Sequence, residues 1–227
     1  MIAQELFSLP SNFPFSSFFP GNVSPWTWVA KIREALECSE FIPNNPPPTS
    51  YPSGVVIEGP VYINPTAVLG PNVVIKGPAY IGANTEIRPG AYIRGNVIVG
   101  QGCVLGNSSE FKNCLLLDGA QVPHFNYVGD SILGNGAHLG AGVICSNLRL
   151  DQLNVPIKLS TGAVDSGLRK LGALIGDSAE IGCNTVLNPG AVIGKRSLVY
   201  PAMAFDGVLE CDSIAAVKQS ISIVRRR

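Results

Sequence analysis

Apolar side chains, aliphatic with one phenylalanine, recur at every sixth position through the middle of the chain. The first run occupies Ile57, Ile63, Leu69, Ile75, Ile81, Ile87, Ile93, Val99, Leu105, Phe111 and Leu117. The residue four places after most of them is small, as at Ala67 and Ala79. A helix would spread a six-residue repeat around its surface, and a hairpin sheet would alternate with period two. The spacing predicts an all-β fold, a parallel β-helix of stacked three-strand coils around one apolar column.

The rhythm is interrupted beside one of the two histidines. Pro123 stands where the next apolar residue after Leu117 should fall, and Val122 and Val128 resume the rhythm one residue early. This slip predicts that the stretch VPHFNYVGDS forms a re-aimed corner on which His124 lies.

A second interruption covers residues 146–173, which are polar and lack the repeat. In a solenoid such a stretch predicts a loop insertion on one face, often the binding face. The six-residue spacing returns from Ile175 to Val199. We therefore predict a β-helix domain over 55–210 and a C-terminal tail over 211–227.

The first 54 residues have a different character and form a predicted N-terminal extension. Seven of the 17 aromatic residues lie within the first 28 positions. They would either bind a partner protein or cap the open apolar end of the solenoid. The stretch WTWVAKIREAL predicts one helix, with Ser24 as N-cap and Pro25 as first helical residue. The proline-rich stretch 41–54 predicts a linker.

Charge and cysteine usage narrow the class of protein. Sixteen basic and 16 acidic residues balance, so no overall field attracts nucleic acid or an anionic membrane. The six cysteines show no CxxC spacing and predict buried free thiols in a reducing compartment. The N-terminus lacks the basic region of a signal peptide, and no apolar run reaches about 18 residues. We expect a cytoplasmic protein with neither a nucleic-acid nor a membrane partner.

Few side chains can transfer protons, and the candidate bases are His124, His138 and scattered carboxylates. A zinc centre of the carbonic-anhydrase type takes three ligands, commonly histidines, so we predict no metal site. The sequence contains neither a Walker glycine loop nor a GxSxG elbow. Its glycines are expected at the corners of the coils.

Three stretches carry a more specific resemblance, namely GNSSEFKN (106–113), PHFNYVGDSILGNGAHLGAG (123–142) and ICSN (144–147). Over roughly residues 85–205 the chain resembles the acetyltransferase half of bifunctional N-acetylglucosamine-1-phosphate uridyltransferases. The resemblance implies a left-handed coil, a homotrimer with active sites between subunits, and acetyl-CoA as cosubstrate. It also implies an amino-sugar phosphate acceptor, most directly glucosamine 1-phosphate. The uridyltransferase half has no counterpart here.

The resemblance also implies roles for individual residues. His124 matches the general base, and a backbone N–H near Ala141 would stabilise the oxyanion. Asn147 matches an asparagine near the acetyl group, Tyr127 a tyrosine that contacts the sugar, and Lys112 a lysine of the sugar-phosphate site.

Other matches leave alternatives open. The phosphate-binding arginine is either Arg88, which fits the local motif, or Arg94, which fits the ungapped count; we slightly prefer Arg88. The loop lysine that reaches a neighbouring subunit's sugar is either Lys158 or Lys170. His138 replaces a substrate-contacting asparagine, which would preserve sugar binding, alter the accepted sugar or abolish activity.

The predicted CoA site comprises Ala141, Gly142, Cys183 and Tyr200. The terminal Arg225 and its two arginine neighbours are expected to be solvated rather than to reach CoA. Two other functions stay open from the sequence. One is acyl transfer to another amine, such as a different amino sugar, a nucleotide sugar or an amino acid. The other is a non-catalytic β-helix that binds a sugar nucleotide or a partner protein.

Overall fold

The computed structural model describes residues 1–38, 51–218 and 220–226. Within these ranges the main body is a solenoid of three eight-stranded parallel sheets, and each coil adds one strand to each sheet. The predicted parallel β-helix is confirmed.

The three sheets are named A, B and C in the order in which the chain first enters them. Sheet A comprises Val56–Glu58, Val74–Lys76, Tyr92–Ile93, Glu110–Lys112, Tyr127–Gly129, Ile144–Cys145, Val186–Leu187 and Ala204–Phe205. Sheet B comprises Val61–Ile63, Ala79–Ile81, Val97–Val99, Cys114–Leu116, Ile132–Leu133, Ala173–Ile175, Ala191–Ile193 and Val208–Leu209. Sheet C comprises Val68–Leu69, Glu86–Ile87, Val104–Asn107, Gln121–His124, His138–Leu139, Glu180–Ile181, Leu198–Val199 and Ile214–Ala215.

The interior is the apolar column that the six-residue spacing predicts, but the slip lies elsewhere than expected. Ile81 pairs with Val99, eighteen residues later, whereas Val99 pairs with Leu116, only seventeen residues later. Leu116 therefore fills the core, and Leu117 packs outside it. The expectation of a slip at Pro123 is wrong, because the missing residue belongs to the preceding corner between sheets A and B.

The next coil is shortened at the same corner. Leu116 pairs with Leu133, again seventeen residues later. The shortened turns pass through Asn113 and Asp130, whose φ angles of 48° lie in the left-handed region that asparagine and aspartate tolerate best after glycine. Two adjacent coils are thus pinched at one corner of the solenoid.

Sheet B differs from the other two because its outward face is also apolar. One outward column runs through Tyr62, Tyr80, Ile98, Leu115, Ile132, Leu174, Val192 and Val208. The central members of this column are buried against the N-terminal extension and the insertion. Sheet B is therefore covered on both faces.

The N-terminal extension packs along this side of the solenoid, not on its open end. It contains the helices Ala3–Leu6 and Thr27–Glu37 and the 3₁₀-helix Ser16–Phe18. Backbone and side-chain atoms of Ser8 bond Asp177, Asn135 and Lys195 at the corners after sheet B. The aromatic cluster consequently closes a second core, and the expectation that it caps the open end is wrong.

The main helix begins two residues later than predicted. It starts at Thr27, and the Ser24 side chain makes no cap bond; the Ser24 carbonyl instead accepts the Thr27 hydroxyl at 2.6 Å. Pro25 accordingly precedes the helix. Most of the predicted 41–54 linker lies outside the described residues.

The insertion leaves the corner between sheets A and B and is more ordered than the predicted loop. It contains an antiparallel hairpin of Pro156–Leu159 and Gly162–Asp165. Val155 and Ile157 are buried beside sheet B. At the other end of the domain, Ile214–Ala215 pairs with Leu198–Val199, so the solenoid continues past the predicted boundary at 210. Among the described helices, none is long and apolar enough to span a membrane.

Replacement of Trp28 by alanine tests the packing of the extension. Trp28 is fully buried, its indole N–H donates to the Pro20 carbonyl at 3.0 Å, and its ring contacts Phe7 and Phe19. We expect Trp28→Ala to lower the free energy of unfolding by about 3–5 kcal/mol in chemical denaturation.

Arg33→Ala, on the solvent side of the same helix, is the control and should change stability by less than about 0.5 kcal/mol. Equal stability of the two variants would contradict the packing of this helix against sheet B.

Candidate active site

The backbone of His124 is fixed by a buried asparagine at the corner between sheets C and A. Asn126 takes the inward position that small residues occupy in other coils and is 3% exposed. Its side-chain oxygen accepts the His124 N–H at 3.0 Å, and its side-chain nitrogen donates to the Gly140 carbonyl at 2.7 Å. The His124 carbonyl accepts the Gly142 N–H at 3.0 Å. Neighbouring coils therefore hold this corner rigid.

The side chain of His124 has no such partners. It is exposed, and its imidazole makes no hydrogen bond to any other residue that the structure describes. Phe125, beside it, has a φ of 51° and is 62% exposed. The corner thus presents an unpaired proton acceptor on a fixed backbone.

A groove runs along sheet C on the coils that follow His124. Its volume is about 260 Å³, and His138, Glu180, Cys183 and Tyr200 line it. Gly140 permits this shape, because a Cβ there would lie 2.9 Å from the Cys183 sulfur and 2.7 Å from its backbone nitrogen. His138 lies between Gln121 and Glu180 in one outward column.

The predicted CoA residues are brought together here. The Ala141 carbonyl accepts the Asn184 N–H at 2.8 Å, which places Ala141 and Cys183 at equivalent positions of successive corners. Gly142 bonds the His124 carbonyl in the preceding coil. The backbone N–H of Ala141 has no hydrogen-bond acceptor among the described residues. Ala141, Gly142, Cys183 and Tyr200 therefore form one strip beside the His124 corner.

A buried carboxylate, that of Asp130, lies just after the sheet A strand Tyr127–Gly129, at the opposite end of this strand from His124. Asp130 is 3% exposed, and Lys112 Nζ lies 3.0 and 3.1 Å from its two oxygens. Asn113 donates to the same carboxylate at 2.8 Å, and the Asn147 amide donates to it from the next coil. The Asp130 carbonyl accepts the Gly172 N–H at 2.8 Å. Asp130 thereby joins three coils at the root of the insertion.

Tyr127 lies on the outward face of sheet A, against this cluster. The Asn147 amide also donates to its hydroxyl, at 3.2 Å. Burial raises the pKa of Tyr127, so the hydroxyl keeps its proton at neutral pH. The ring lies over Gly129, where a Cβ would come within 2.5 Å of the hydroxyl oxygen.

The structure separates the two candidate phosphate-binding arginines. Arg94 lies on sheet A with Lys112, and its guanidinium is 2.6 Å from Glu110. Arg88 lies at the end of a sheet C strand and pairs with Glu86 at 3.1 Å. The site residues of sheet A thus share a face with Arg94 and not with Arg88.

The two candidate loop lysines occupy different parts of the insertion. Lys158 lies on the hairpin and pairs with Asp206. Lys170 faces Leu148 through a bridge next to Asn147 and has no ion-pair partner among the described residues.

All six thiols are free, but the expectation that they are buried holds only for Cys103, Cys114 and Cys145. Burial raises the pKa of Cys103 and Cys145 to about 12, which leaves almost no nucleophilic thiolate at neutral pH. In the described part of the chain, no three His, Cys, Asp or Glu side chains converge on a possible metal position.

Sequence reasoning assigned no role to two structural members of the site, Asp130 and Asn126. Both are polar residues at positions where other coils have corner or core residues. Asp130 could have been found as the acidic member of the quoted GDS stretch, but its partners Lys112 and Asn147 lie 17 or 18 residues away along the chain. That spacing equals one coil and becomes informative only when the coil length is known.

Replacement of Lys112 by methionine tests the Asp130 cluster, because it removes the positive charge that pairs with the buried carboxylate. Lys112→Met would leave Asp130 buried with only amide donors, so we expect a loss of about 3 kcal/mol in the free energy of unfolding. Urea denaturation measures it.

Lys76→Met is the matched control, because Lys76 pairs with Glu58 on the exposed surface and should matter by less than about 1 kcal/mol. A Lys112→Met variant as stable as this control would show that the ion pair of Lys112 with Asp130 does not contribute to the free energy of unfolding.

Comparisons with known proteins find relatives that match part of the chain. A protein-family model described as the GMPPB C-terminal domain matches residues 75–160. The bifunctional protein GlmU of Methanococcus maripaludis is 38% identical over 122 residues, which cover 54% of this chain and 29% of that protein. The bifunctional sugar-1-phosphate nucleotidylyltransferase/acetyltransferase of Sulfurisphaera tokodaii is 38% identical over 97 residues, covering 43% and 24%.

Among solved structures, the UDP-N-acetylglucosamine acyltransferase of Francisella novicida is 16% identical, covers 70% of this chain and 63% of that chain, and gives a TM-score of 0.44. The chain spans less than a third of the length of the two curated relatives described above. The resemblance inferred from the sequence is confirmed: this chain is similar to bifunctional GlmU-type proteins over about half of its length.

Proposed function

We propose that this protein is an acetyl-CoA-dependent N-acetyltransferase that acts on an amino-sugar 1-phosphate unit, with glucosamine 1-phosphate as the simplest acceptor. One observation carries the proposal. The unpaired imidazole of His124 stands on a rigid corner between the sheet C groove and the sheet A cluster of Lys112, Tyr127 and Asn147.

The groove and the cluster suit the two substrates of such a reaction. The strip of Ala141, Gly142, Cys183 and Tyr200 would hold the pantetheine arm of CoA along sheet C. The sugar would then contact Tyr127 and Asn147 on sheet A. This arrangement brings the thioester and the amine together at His124, which supplies the proximity that group transfer requires.

His124 acts as general base in this reaction. The amine nitrogen attacks the thioester carbonyl carbon while the imidazole removes its proton. The C–N bond forms, the C–S bond breaks, and the proton passes to the departing CoA thiolate. The free N–H of Ala141 is a suitable donor for the oxyanion that forms between these steps.

Phosphate binding falls to cations of sheet A in this proposal. Arg94 is the better placed arginine, because it shares the face with Lys112 and Tyr127. Arg88 would serve only a phosphate bound along sheet C. Lys158 and Lys170 of the insertion lie at the far side of the same cluster.

The assembly that we propose is a homotrimer in the cytoplasm, where acetyl-CoA is available. The outward face of sheet B is already covered by the chain's own extension and hairpin. Sheets A and C, which carry the candidate site, are therefore the faces available to neighbouring subunits.

His124→Ala tests the proposal. General-base assistance contributes typically about 10²- to 10⁴-fold, so we expect a loss of that size in CoA release from acetyl-CoA with glucosamine 1-phosphate. Calorimetric binding of CoA should persist, because the groove is untouched.

Arg196→Ala, which removes an exposed ion pair with Asp212, should retain full activity. A folded His124→Ala variant with unchanged turnover would refute the role of the base. A wild-type protein that neither binds CoA nor acetylates any amine would favour the non-catalytic alternative.

A further inference from the structure

A second groove lies beyond the Asp130 cluster, at the root of the insertion. Its volume is about 630 Å³, within the range typical of small-molecule sites. Its walls come from the insertion, through Arg149, Leu150 and Lys158, and from the sheet A corners, through Asn188 and Asp206. The function proposed above gives this groove no role.

The groove is continuous with the acceptor site. Ser146 and Leu148 line it, and these residues flank Asn147. Ser146 follows Cys145, which pairs with Val128, so it extends the outward column that Lys112 and Gly129 begin. Asn188 and Asp206 continue that column. A ligand lying along sheet A would pass directly from the Asn147 amide into this groove.

The groove and His124 lie at opposite ends of the sheet A strands. His124 precedes the strand Tyr127–Gly129, whereas Ser146 and Asn188 follow the strands Ile144–Cys145 and Val186–Leu187, and a three-residue strand is about 10 Å long. In glucosamine 1-phosphate the amine and the phosphate are on adjacent carbons. With its amine at His124, that molecule would leave the groove empty.

The chemistry of the walls fits a nucleoside diphosphate. Arg149 and Lys158 are the two cations, and each is paired with a carboxylate, Asp151 or Asp206, on the surface. All four side chains are 32–55% exposed, and ion pairs of that kind are weak. Phosphate oxygens can therefore replace the carboxylates at little cost, and guanidinium suits them well.

The remaining wall residues fit the nucleoside. Leu148 and Leu150 are 38% and 104% exposed, and with Pro156 and Pro189 they offer apolar surface for a base. The two carboxylates released from the ion pairs accept hydrogen bonds, which suits ribose hydroxyls.

We propose that this groove binds the nucleoside diphosphate of a nucleotide-linked amino sugar, and that such a sugar is the preferred acceptor. The inference rests on the proposed function for its acceptor role. The binding of the nucleoside diphosphate itself does not depend on catalysis.

The first test measures binding alone. Calorimetry with UDP and with GDP should show at least one of them binding to the wild-type protein, with inorganic pyrophosphate binding more weakly. Arg149→Ala/Lys158→Ala should raise the Kd at least tenfold. Arg196→Ala/Lys31→Ala removes one arginine and one lysine from exposed pairs elsewhere and should leave the Kd unchanged. No binding of either nucleotide, or equal weakening by both variants, would overturn the proposal.

The second test compares acceptors. Acetylation of UDP- or GDP-linked amino sugars should exceed that of glucosamine 1-phosphate at least tenfold in kcat/KM. The Arg149→Ala variant should lose this advantage through KM while its turnover of glucosamine 1-phosphate stays the same.

The outcomes separate the two proposals. A His124-dependent reaction that prefers glucosamine 1-phosphate would overturn the nucleotide inference and support the proposed function. Nucleotide binding lost in the groove variant, with no acetylation of any acceptor, would overturn the acetyltransferase and the acceptor role and support only the nucleotide site.

Discussion

The candidate site depends on the hydrogen bonds and the ion pair that the buried Asp130 carboxylate makes with its neighbours. The carboxylate is buried, and it accepts hydrogen bonds from Lys112 and Asn113 in the preceding coil and from Asn147 in the following coil. A buried carboxylate without such donors would be strongly destabilising, so these side chains are fixed by its need for partners. The Asp130 carbonyl also holds Gly172, where the insertion returns to the solenoid. Asp130 thus fixes the sheet A side chains through its carboxylate and the return of the insertion through its backbone carbonyl.

The three sides of the solenoid carry different physical tasks. Sheet B is apolar on both faces and is covered by the chain's own extension and hairpin. Sheet C presents a shallow groove that small corner residues keep open. Sheet A carries charged and aromatic side chains that the Asp130 cluster orders. The two exposed sides meet along the edge of the solenoid on which His124 lies.

The regular part of this fold could be predicted from the sequence, and the irregular part could not. The six-residue spacing requires a β-helix because no other element buries that period. The position of the slip was ambiguous, because Leu115, Leu116 and Leu117 are three consecutive leucines and each can fill a core. Leu116 is the core residue because it pairs with Val99 of the preceding coil, and such a contact between coils cannot be read from the local sequence.

For a similar reason, only part of the candidate site could be predicted from the sequence. The corner of His124 and the residues around it form a compact local pattern, so a resemblance could identify them. The roles of Asn126 and Asp130 depend on partners one coil away, and the insertion hairpin depends on the apolar outward face of sheet B. These contacts join different coils, so they can be predicted only when the register between the coils is known.

The most direct measurement of the central claim is a crystal structure with CoA and an amino-sugar phosphate bound together. The claim is that the sheet C groove and the sheet A cluster are two halves of one site joined at His124. It predicts pantetheine along His138, Cys183 and Tyr200, the sugar against Tyr127 and Asn147, and the sugar amine within hydrogen-bond distance of the His124 imidazole. CoA or sugar bound away from this corner, with His124 contacting neither, would contradict it.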